Sequence, residues 1–213
     1  MISARVRRYA GLLGVVVLVG LIVRTLFISP ADPGGIAPGH TLAPFATPLA
    51  LGRLSGDADI ATHADEGEAG RVPACAERGP QILNVCQLYE QGPVVLAFFV
   101  DGGSCAGVLS SMQELAGEFP TVRFAAVAIR GERDQLRTLM RRRGLTLPIG
   151  IDGDGAVAAL YKVFTCPQVN FAYRGGVVQS RALLGNSSLS SLRARVRALV
   201  QASDTREGRG LAA

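Results

Sequence analysis

The chain of 213 residues contains no tryptophan and only two histidines, His40 and His63. Because zinc sites and the common hydrolase triads depend on histidine, this scarcity argues against both kinds of site. The strings C-x-x-C, H-x-x-H, G-x-S-x-G and the P-loop are also missing. The sequence therefore predicts no metal site, no bound cofactor and no nucleotide-binding loop.

A concentrated basic surface is lacking too, although the net charge is +5. Four arginines fall within the first 28 residues, which contain no acid, so little of the excess belongs to the rest of the chain. The run Arg141-Arg142-Arg143 closes a predicted helix, where cations complement the carbonyl end of the helix dipole. That solvated face is favoured over a phosphate-binding patch, and no nucleic-acid partner is expected.

The N-terminal region has the pattern of a membrane segment. Residues 1–8 are basic and are predicted to stay in the cytoplasm, while residues 9–28 are almost entirely apolar and about as long as a bilayer core is thick. A cleaved signal peptide is the alternative, but no small-x-small cleavage site follows promptly. Both interpretations place the remaining chain outside the cytosol, and the anchor predicts a single-pass protein of the cell membrane.

The rest of the chain divides by composition. Residues 29–48 are rich in proline and glycine and are predicted to be a tether. Residues 49–92 form an entry segment with an exposed acidic insertion, residues 52–71, and a loop holding Cys75 and Cys86. Residues 93–202 are predicted to be the globular domain, and residues 203–213 a flexible tail.

Within the domain, apolar runs and helical periodicities alternate. Buried strands are predicted at 94–100 and 122–129, and Gly175-Gly176 indicates a hairpin between later strands. Helices are predicted after Ser104, a candidate N-cap, and before Gly144, a candidate C-cap. The remaining predicted elements are a short stretch at 147–151, an alanine-rich helical turn to Tyr161, strands at 168–173 and 177–183, and a final helix from Leu189. This order predicts an α/β fold in which helices flank a central sheet.

Several motifs in this order resemble the redoxin and TlpA-like branch of the thioredoxin superfamily, whose members are membrane-tethered thiol-disulfide oxidoreductases. The motifs are Ala43-Pro44-Phe45, the strand 94–100, the turn Asp152-Gly153-Asp154-Gly155 and the dipeptide Cys166-Pro167. The resemblance implies a thioredoxin-like fold with a cis bond before Pro167. It aligns Cys105 with the family's second active-site cysteine and Gly102 with its first, so the C-x-x-C motif is degenerate.

Cys105 and Cys166 are the candidate redox residues, with Pro167 completing the site. A position at the start of a helix favours the thiolate of Cys105, which is therefore expected to attack, with Cys166 as its partner. A small cysteine that only packs beneath the sheet edge is the alternative for Cys105. A single-cysteine peroxidase is less favoured, because Gly102 replaces the threonine of the P-x-x-x-T-x-x-C motif that such enzymes resemble.

Four cysteines in an exported domain favour disulfides, with three possible connectivities. Cys75 and Cys86 are close in sequence, so we predict that they close a local loop as a structural bond. Two functions follow: a redox protein that acts on extracytoplasmic protein thiols or disulfides, or a redox-inactive thioredoxin-like module that binds an extracytoplasmic protein.

Overall fold

The computed structural model describes residue 18 and residues 34–64 and 72–210. Residue 18 apart, the predicted cytoplasmic tail, membrane anchor and residues 29–33 lie outside the described residues. In the described part of the chain, no helix combines the length and apolar character needed to cross a membrane.

The strands and helices of the described residues follow the predicted alternation, and two short strands, a 3-10 turn and one helix precede it. The strands are β1 (Ala46–Pro48), β2 (Ile82–Asn84), β3 (Val94–Phe99), β4 (Arg123–Ile129), β5 (Ile149–Asp152), β6 (Gln168–Ala172) and β7 (Val178–Leu184). The helices are α1 (Val85–Gln91), α2 (Gly107–Glu118), α3 (Arg133–Arg143), α4 (Ala156–Leu160) and α5 (Leu189–Gly210), and a 3-10 turn spans Ala74–Ala76.

Five strands form one mixed sheet in the order β5-β4-β3-β6-β7. The central strand β3 pairs parallel to β4 and antiparallel to β6, so Leu96 lies opposite both Ala125 and Asn170. All six residues of β3 are buried, as its continuous apolar run predicts for a strand covered on both faces. The antiparallel pair of β6 and β7 is the hairpin predicted around Gly175-Gly176.

Each face of the sheet supports a separate hydrophobic core. On one face, α2, α3 and α5 pack residues such as Leu109, Leu136 and Val196 against β3 and β4. On the other face, α1, α4 and the N-terminal segment contribute the second core, whose members include Leu42, Phe45, Val85, Val157 and Tyr161. This helix-covered sheet is the predicted α/β architecture.

The N-terminal part of the domain differs from the predicted tether. Residues 34–48 pack onto the sheet, and Leu42 and Phe45 are fully buried. The backbone N–H of Gly39 donates to the carbonyl of Val178 at 2.9 Å, beside the outer strand β7. The N–H of Ala50 donates to the carbonyl of Ile149 at 2.8 Å, beside the outer strand β5. Residues 39–50 therefore pair with the first residues of both outer strands and cover part of each sheet edge, where exposed backbone groups are otherwise prone to pairing with other chains.

The predicted insertion and tail also differ from expectation. Asp59, placed by the sequence in an exposed insertion, is buried and bridges to Ala46 of β1. Two arginines of α3, Arg133 and Arg137, donate hydrogen bonds to backbone carbonyls of residues 49–54 and fix this loop. At the other end, α5 continues to Gly210, so most of the predicted flexible tail is helical. Asn84 begins α1 by accepting a hydrogen bond from the N–H of Gln87, a capping signal that the sequence analysis missed.

Candidate active site

The loop after β3 carries Cys105 to the sheet edge. Gly102 and Gly103 have φ angles of 129° and 58°, a region that favours glycine, and they turn the chain back toward α2. Ser104 was expected to cap the helix, but α2 begins at Gly107 with Ala106 as N-cap and no side-chain cap. The carbonyl of Ser104 instead accepts a hydrogen bond from the N–H of Gly107 at 3.0 Å, because the chain forms a turn before the helix starts. Cys105 lies in that turn, one residue before the N-cap.

The second half of the site lies directly before β6. The peptide bond between Cys166 and Pro167 is cis, as the resemblance implied, and Pro167 is buried. The preceding loop projects Phe164, whose surface is 74% exposed, the largest exposed fraction among the large hydrophobic residues described. Cys166 thus stands between an exposed loop and a fixed, buried proline.

The structure joins Cys105 and Cys166 in a disulfide although 61 positions separate them in sequence. Their Cα atoms are 5.4 Å apart, well within the range that a disulfide requires. Both residues are half-buried. The backbone N–H of Val100, at the end of β3, donates to the Sγ of Cys166 at 3.3 Å. These contacts bring together the three residues that the sequence placed in the site, while their catalytic role stays a prediction.

An apolar groove with two cations adjoins Cys166. Its volume is about 570 Å³, and its lining includes Val100, Ile129, Arg130, Lys162 and Phe164. Arg130 and Lys162 are exposed, and they are the two residues other than glycine with positive φ in the described chain, at 55° and 48°. Such backbone conformations are uncommon for these residue types. The sequence analysis missed this groove, since its lining comes from three segments that are far apart in sequence.

A different cavity on the α3 side involves the arginine run. Arg142, Arg143 and Asp101 help to line a volume of about 510 Å³. The guanidinium of Arg143 donates to the carbonyl of Ala106 at 2.5 Å and so links the end of α3 to the start of α2. Gly144 ends α3 with a φ of 60°, which confirms the predicted C-cap.

Cys75 and Cys86 form the second disulfide, with Cα atoms 5.4 Å apart. Cys86 is buried in the second core, and the hydroxyl of Tyr89 lies 3.8 Å from the Sγ of Cys75. The Asn84 amide donates to the carbonyls of Ala74 and Glu77 and so fixes the loop that the bond closes. This environment is typical of a structural bond.

Two buried ionisable side chains, Asp152 and Tyr161, are engaged in structural contacts. Asp152 accepts hydrogen bonds from the N–H groups of Val157 and Ala158 at the start of α4, and burial raises the pKa of its carboxyl. The hydroxyl of Tyr161 donates to the carbonyl of Ala43, and burial raises the pKa of this phenol well above its usual value. Both groups hold α4 and the N-terminal segment against the sheet. Across residues 34–64 and 72–210, no cluster of three or more potential metal ligands occurs.

No protein-family model and no curated protein matches the chain. Solved structures do resemble it. The DsbF protein of MTB, solved in mixed oxidized and reduced forms, is 26% identical and aligns over 56% of this chain and 88% of its own, with a TM-score of 0.50. A secreted Mycobacterium tuberculosis disulfide oxidoreductase homologous to E. coli DsbE is 22% identical over 55% of this chain and 89% of its own, with a TM-score of 0.50.

A third similar structure is the peroxidoxin BcpB from Mycobacterium tuberculosis. It is 18% identical over 78% of this chain and 97% of its own, with a TM-score of 0.55. At this identity the likeness concerns the fold alone. The similar structures indicate the same fold as the topology of the mixed sheet and the cis bond before Pro167. The chain therefore has a thioredoxin-like fold.

Proposed function

We propose that this protein is a membrane-anchored, extracytoplasmic thiol-disulfide oxidoreductase whose redox pair is Cys105 and Cys166. The observation that carries the proposal is the half-buried disulfide between these residues, next to the cis bond of Pro167. Cys166 takes the role of the second redox sulfur, which in the family belongs to the cysteine at the position of Gly102. Residues 9–28 would anchor the protein, with residues 1–8 in the cytoplasm and the domain outside.

The chemistry is a pair of thiol-disulfide exchanges. In the reduced protein, the Cys166 thiolate attacks a partner's disulfide, which forms a mixed disulfide and releases the partner's other sulfur as a thiolate. The Cys105 thiolate then attacks the Cys166 sulfur, restores the Cys105–Cys166 bond and frees the second partner thiolate. Two electrons pass from the protein dithiol to the partner disulfide. A separate dithiol donor then supplies two electrons that reduce the Cys105–Cys166 bond again. In the opposite direction the same steps oxidise a partner dithiol.

Cys166 is assigned the attacking role, which revises the expectation from the sequence. Cys105 precedes the N-cap Ala106 and does not lie in the first turn of α2. Cys166 has a defined donor, since the N–H of Val100 is 3.3 Å from its Sγ. A hydrogen bond to a charged sulfur favours the thiolate over the thiol.

The test uses two single variants of the full chain, Cys105→Ser and Cys166→Ser. Both variants retain Cys75 and Cys86. The Cys105→Ser variant keeps the attacking sulfur but cannot resolve the intermediate, so it should accumulate mixed disulfides with partner proteins on non-reducing gels. The Cys166→Ser variant should trap none, and both should lose insulin reduction. The opposite trapping pattern would return the attacking role to Cys105. If neither variant traps a partner and both reduce insulin like the parent, the oxidoreductase proposal fails.

A redox-inactive binding module is the second candidate, and Gly102 in place of the usual first cysteine favours it. In that case the Cys105–Cys166 bond is permanent. The oxidoreductase and the binding module can be distinguished by equilibrating the protein in glutathione buffers and then counting its free thiols. Structural disulfides resist reduction by the glutathione pool, whereas catalytic disulfides do not. The extracytoplasmic location is tested with two reporter fusions, each placed after residue 213. One reporter is a phosphatase that is active only when exported, and the other is a reporter that is active only in the cytoplasm. An inactive phosphatase together with an active cytoplasmic reporter would contradict the proposed location.

A further inference from the structure

The cavity on the α3 side flanks the loop that carries Cys105, and we refer to it as the α3 cavity. Its volume is about 510 Å³, and its lining consists of Asp101 and of one face of α3 that ends at Arg143. Asp101 lies in the same loop as Cys105. The guanidinium of Arg143 donates to the carbonyl of Ala106, the residue after Cys105, at 2.5 Å. The cavity lining is therefore connected to the chain on both sides of Cys105.

Two opposite charges in the α3 cavity are available to a ligand. The guanidinium of Arg142 and the carboxylate of Asp101 make no hydrogen bond or ion pair with any of the described residues. The carboxylate of Asp134 is already paired with Arg137 at 3.3 Å. Arg143 keeps its charge, because its acceptor is a neutral carbonyl. The cavity thus offers two guanidinium groups and one free carboxylate.

A ligand that matches these groups carries both carboxylate and ammonium groups. Guanidinium groups bind carboxylates through paired, charge-assisted hydrogen bonds, and the carboxylate of Asp101 complements an ammonium group. The volume of the cavity lies within the range of about 300–1,000 Å³ that is usual for small-molecule sites. Leu139 adds an apolar contact to the lining. Amino acids and short peptides have this combination of groups on a small scaffold.

We propose that the α3 cavity binds a low-molecular-weight thiol with carboxylate and ammonium groups, and that this thiol reduces the Cys105–Cys166 bond. This inference rests on the redox pair of the proposed function and names the chemical class of its electron donor. Two molecules of the small thiol take the place of a single dithiol donor. The position of the cavity beside Cys105 makes the sulfur of Cys105 the point of attack.

The reduction consists of two exchange steps. The thiolate of the bound ligand attacks the Cys105 sulfur, forms a mixed disulfide with it and releases Cys166 as a thiolate. Cys166 is the favoured leaving group, because the N–H of Val100 lies 3.3 Å from its Sγ and stabilises the departing charge. A second ligand thiolate attacks the ligand sulfur of the mixed disulfide, which releases the Cys105 thiolate and the oxidised ligand as a disulfide. Two electrons pass to the protein bond, and the protons of the two thiols reach the cysteines through solvent.

The test compares two thiols as reductants of the full chain. Glutathione carries carboxylate and ammonium groups, whereas 2-mercaptoethanol is neutral. The second-order rate constant for reduction of the Cys105–Cys166 bond is measured for each thiol at low thiol concentration. Acid quenching, alkylation of the free thiols and peptide mass spectrometry distinguish this bond from Cys75–Cys86. The ratio of the two rate constants cancels changes in the intrinsic reactivity of the bond, because such changes affect both thiols alike.

Three single variants locate the binding site. Arg142→Gln should lower the ratio of the glutathione rate to the mercaptoethanol rate about two- to fivefold, because an ion pair with the ligand is lost. Asp101→Asn should also lower it, although a simple effect of net charge on the glutathione anion would raise it. Arg141→Gln is the matched control, since it removes the same charge from the same end of α3, and Arg141 does not line the cavity. Its ratio should equal that of the parent.

An unchanged ratio in Arg142→Gln would overturn the α3 cavity as a thiol site. An equal fall in Arg142→Gln and Arg141→Gln would assign the effect to long-range attraction of an anion and would overturn it as well. A rise of the ratio in Asp101→Asn would reject the ammonium contact and with it the proposed class of ligand. If neither thiol reduces the Cys105–Cys166 bond of the parent, the redox pair of the proposed function is contradicted, so the two failures are distinguishable.

Discussion

The backbone N–H of Val100 points at the Sγ of Cys166 across 3.3 Å, and this contact links the end of the central strand to the redox bond. The donor belongs to the backbone, so its position is set by β3 and not by the identity of a side chain. A donor held in this way favours a negative charge on Cys166 once the disulfide is reduced.

In the reduced protein, Cys166 should therefore react with iodoacetamide faster than Cys105. A hydrogen bond to a charged acceptor contributes about 1.5 kcal/mol, and lower nucleophilicity offsets part of this gain, so the ratio should be about three- to tenfold. A quenched time course followed by peptide mass spectrometry measures both rates. In the denatured chain the two rates should converge, and faster alkylation of Cys105 in the folded protein would contradict the assigned order.

Loss of the Cys75–Cys86 bond should lower stability without changing the redox pair. For a loop of this size, the double variant Cys75→Ala/Cys86→Ala should lose about 2–3 kcal/mol of unfolding free energy, a fall of about 5–10 °C in Tm. Calorimetry gives the Tm, and the alkylation rates of Cys105 and Cys166 serve as the control. An unchanged Tm, or altered rates at the redox pair, would reject the structural role.

Neighbouring glycines in the β6–β7 turn should respond differently to alanine. Gly175 and Gly176 have φ angles of 85° and 82°, so alanine is strained at both. A Cβ on Gly175 meets nothing within 4 Å, whereas one on Gly176 would lie 2.7 Å from Cδ1 of Tyr89. Gly175→Ala should cost about 1 kcal/mol and Gly176→Ala about 2–4 kcal/mol, since overpacking is added to backbone strain. Urea denaturation measures both, and equal losses would show that Tyr89 moves aside freely.

The ion pair between Arg193 and Glu118 should produce a pH-dependent difference in stability. The Arg193 guanidinium donates to both carboxylate oxygens of Glu118, at 3.0 and 2.9 Å from Nε, and this contact lowers the pKa of Glu118. Because the folded pKa lies below the unfolded value, the stabilisation is present at neutral pH and is lost as pH falls through the folded pKa. Arg193→Gln should be less stable than the parent at pH 7, and the difference should shrink below about pH 4.3.

Urea denaturation of parent and variant from pH 7 to pH 3 checks this dependence. Glu118→Gln is the matched control, because it removes the carboxyl whose pKa the contact lowers and leaves the arginine in place, still paired with Glu114. A difference between parent and Arg193→Gln that persists unchanged at pH 3 would assign the effect to packing of the arginine stem and not to its charge.

The domain's central elements could be predicted because their signals are local. The apolar run of β3, the helical spacing in α2 and Gly144 after α3 each encode a period or a backbone conformation within a few residues. The short strands β1 and β2 contain three residues each, too few for any period to be visible. Asp59 was interpreted as exposed because a charged residue in a polar stretch has no local mark of burial.

The sequence by itself determined the fold class, the two candidate redox cysteines and the pairing suggested for Cys75 and Cys86, since run length, residue type and sequence proximity carry that information. Only the tertiary structure decided that Cys105 and Cys166 are joined, that Val100 faces Cys166, and that residues 34–48 cover the sheet where a tether was predicted. These are contacts between distant segments, and several of them are made by backbone groups, which every residue except proline possesses. A backbone contact leaves no signature in the identity of a side chain, so only the packing of the folded chain determines which backbone groups meet.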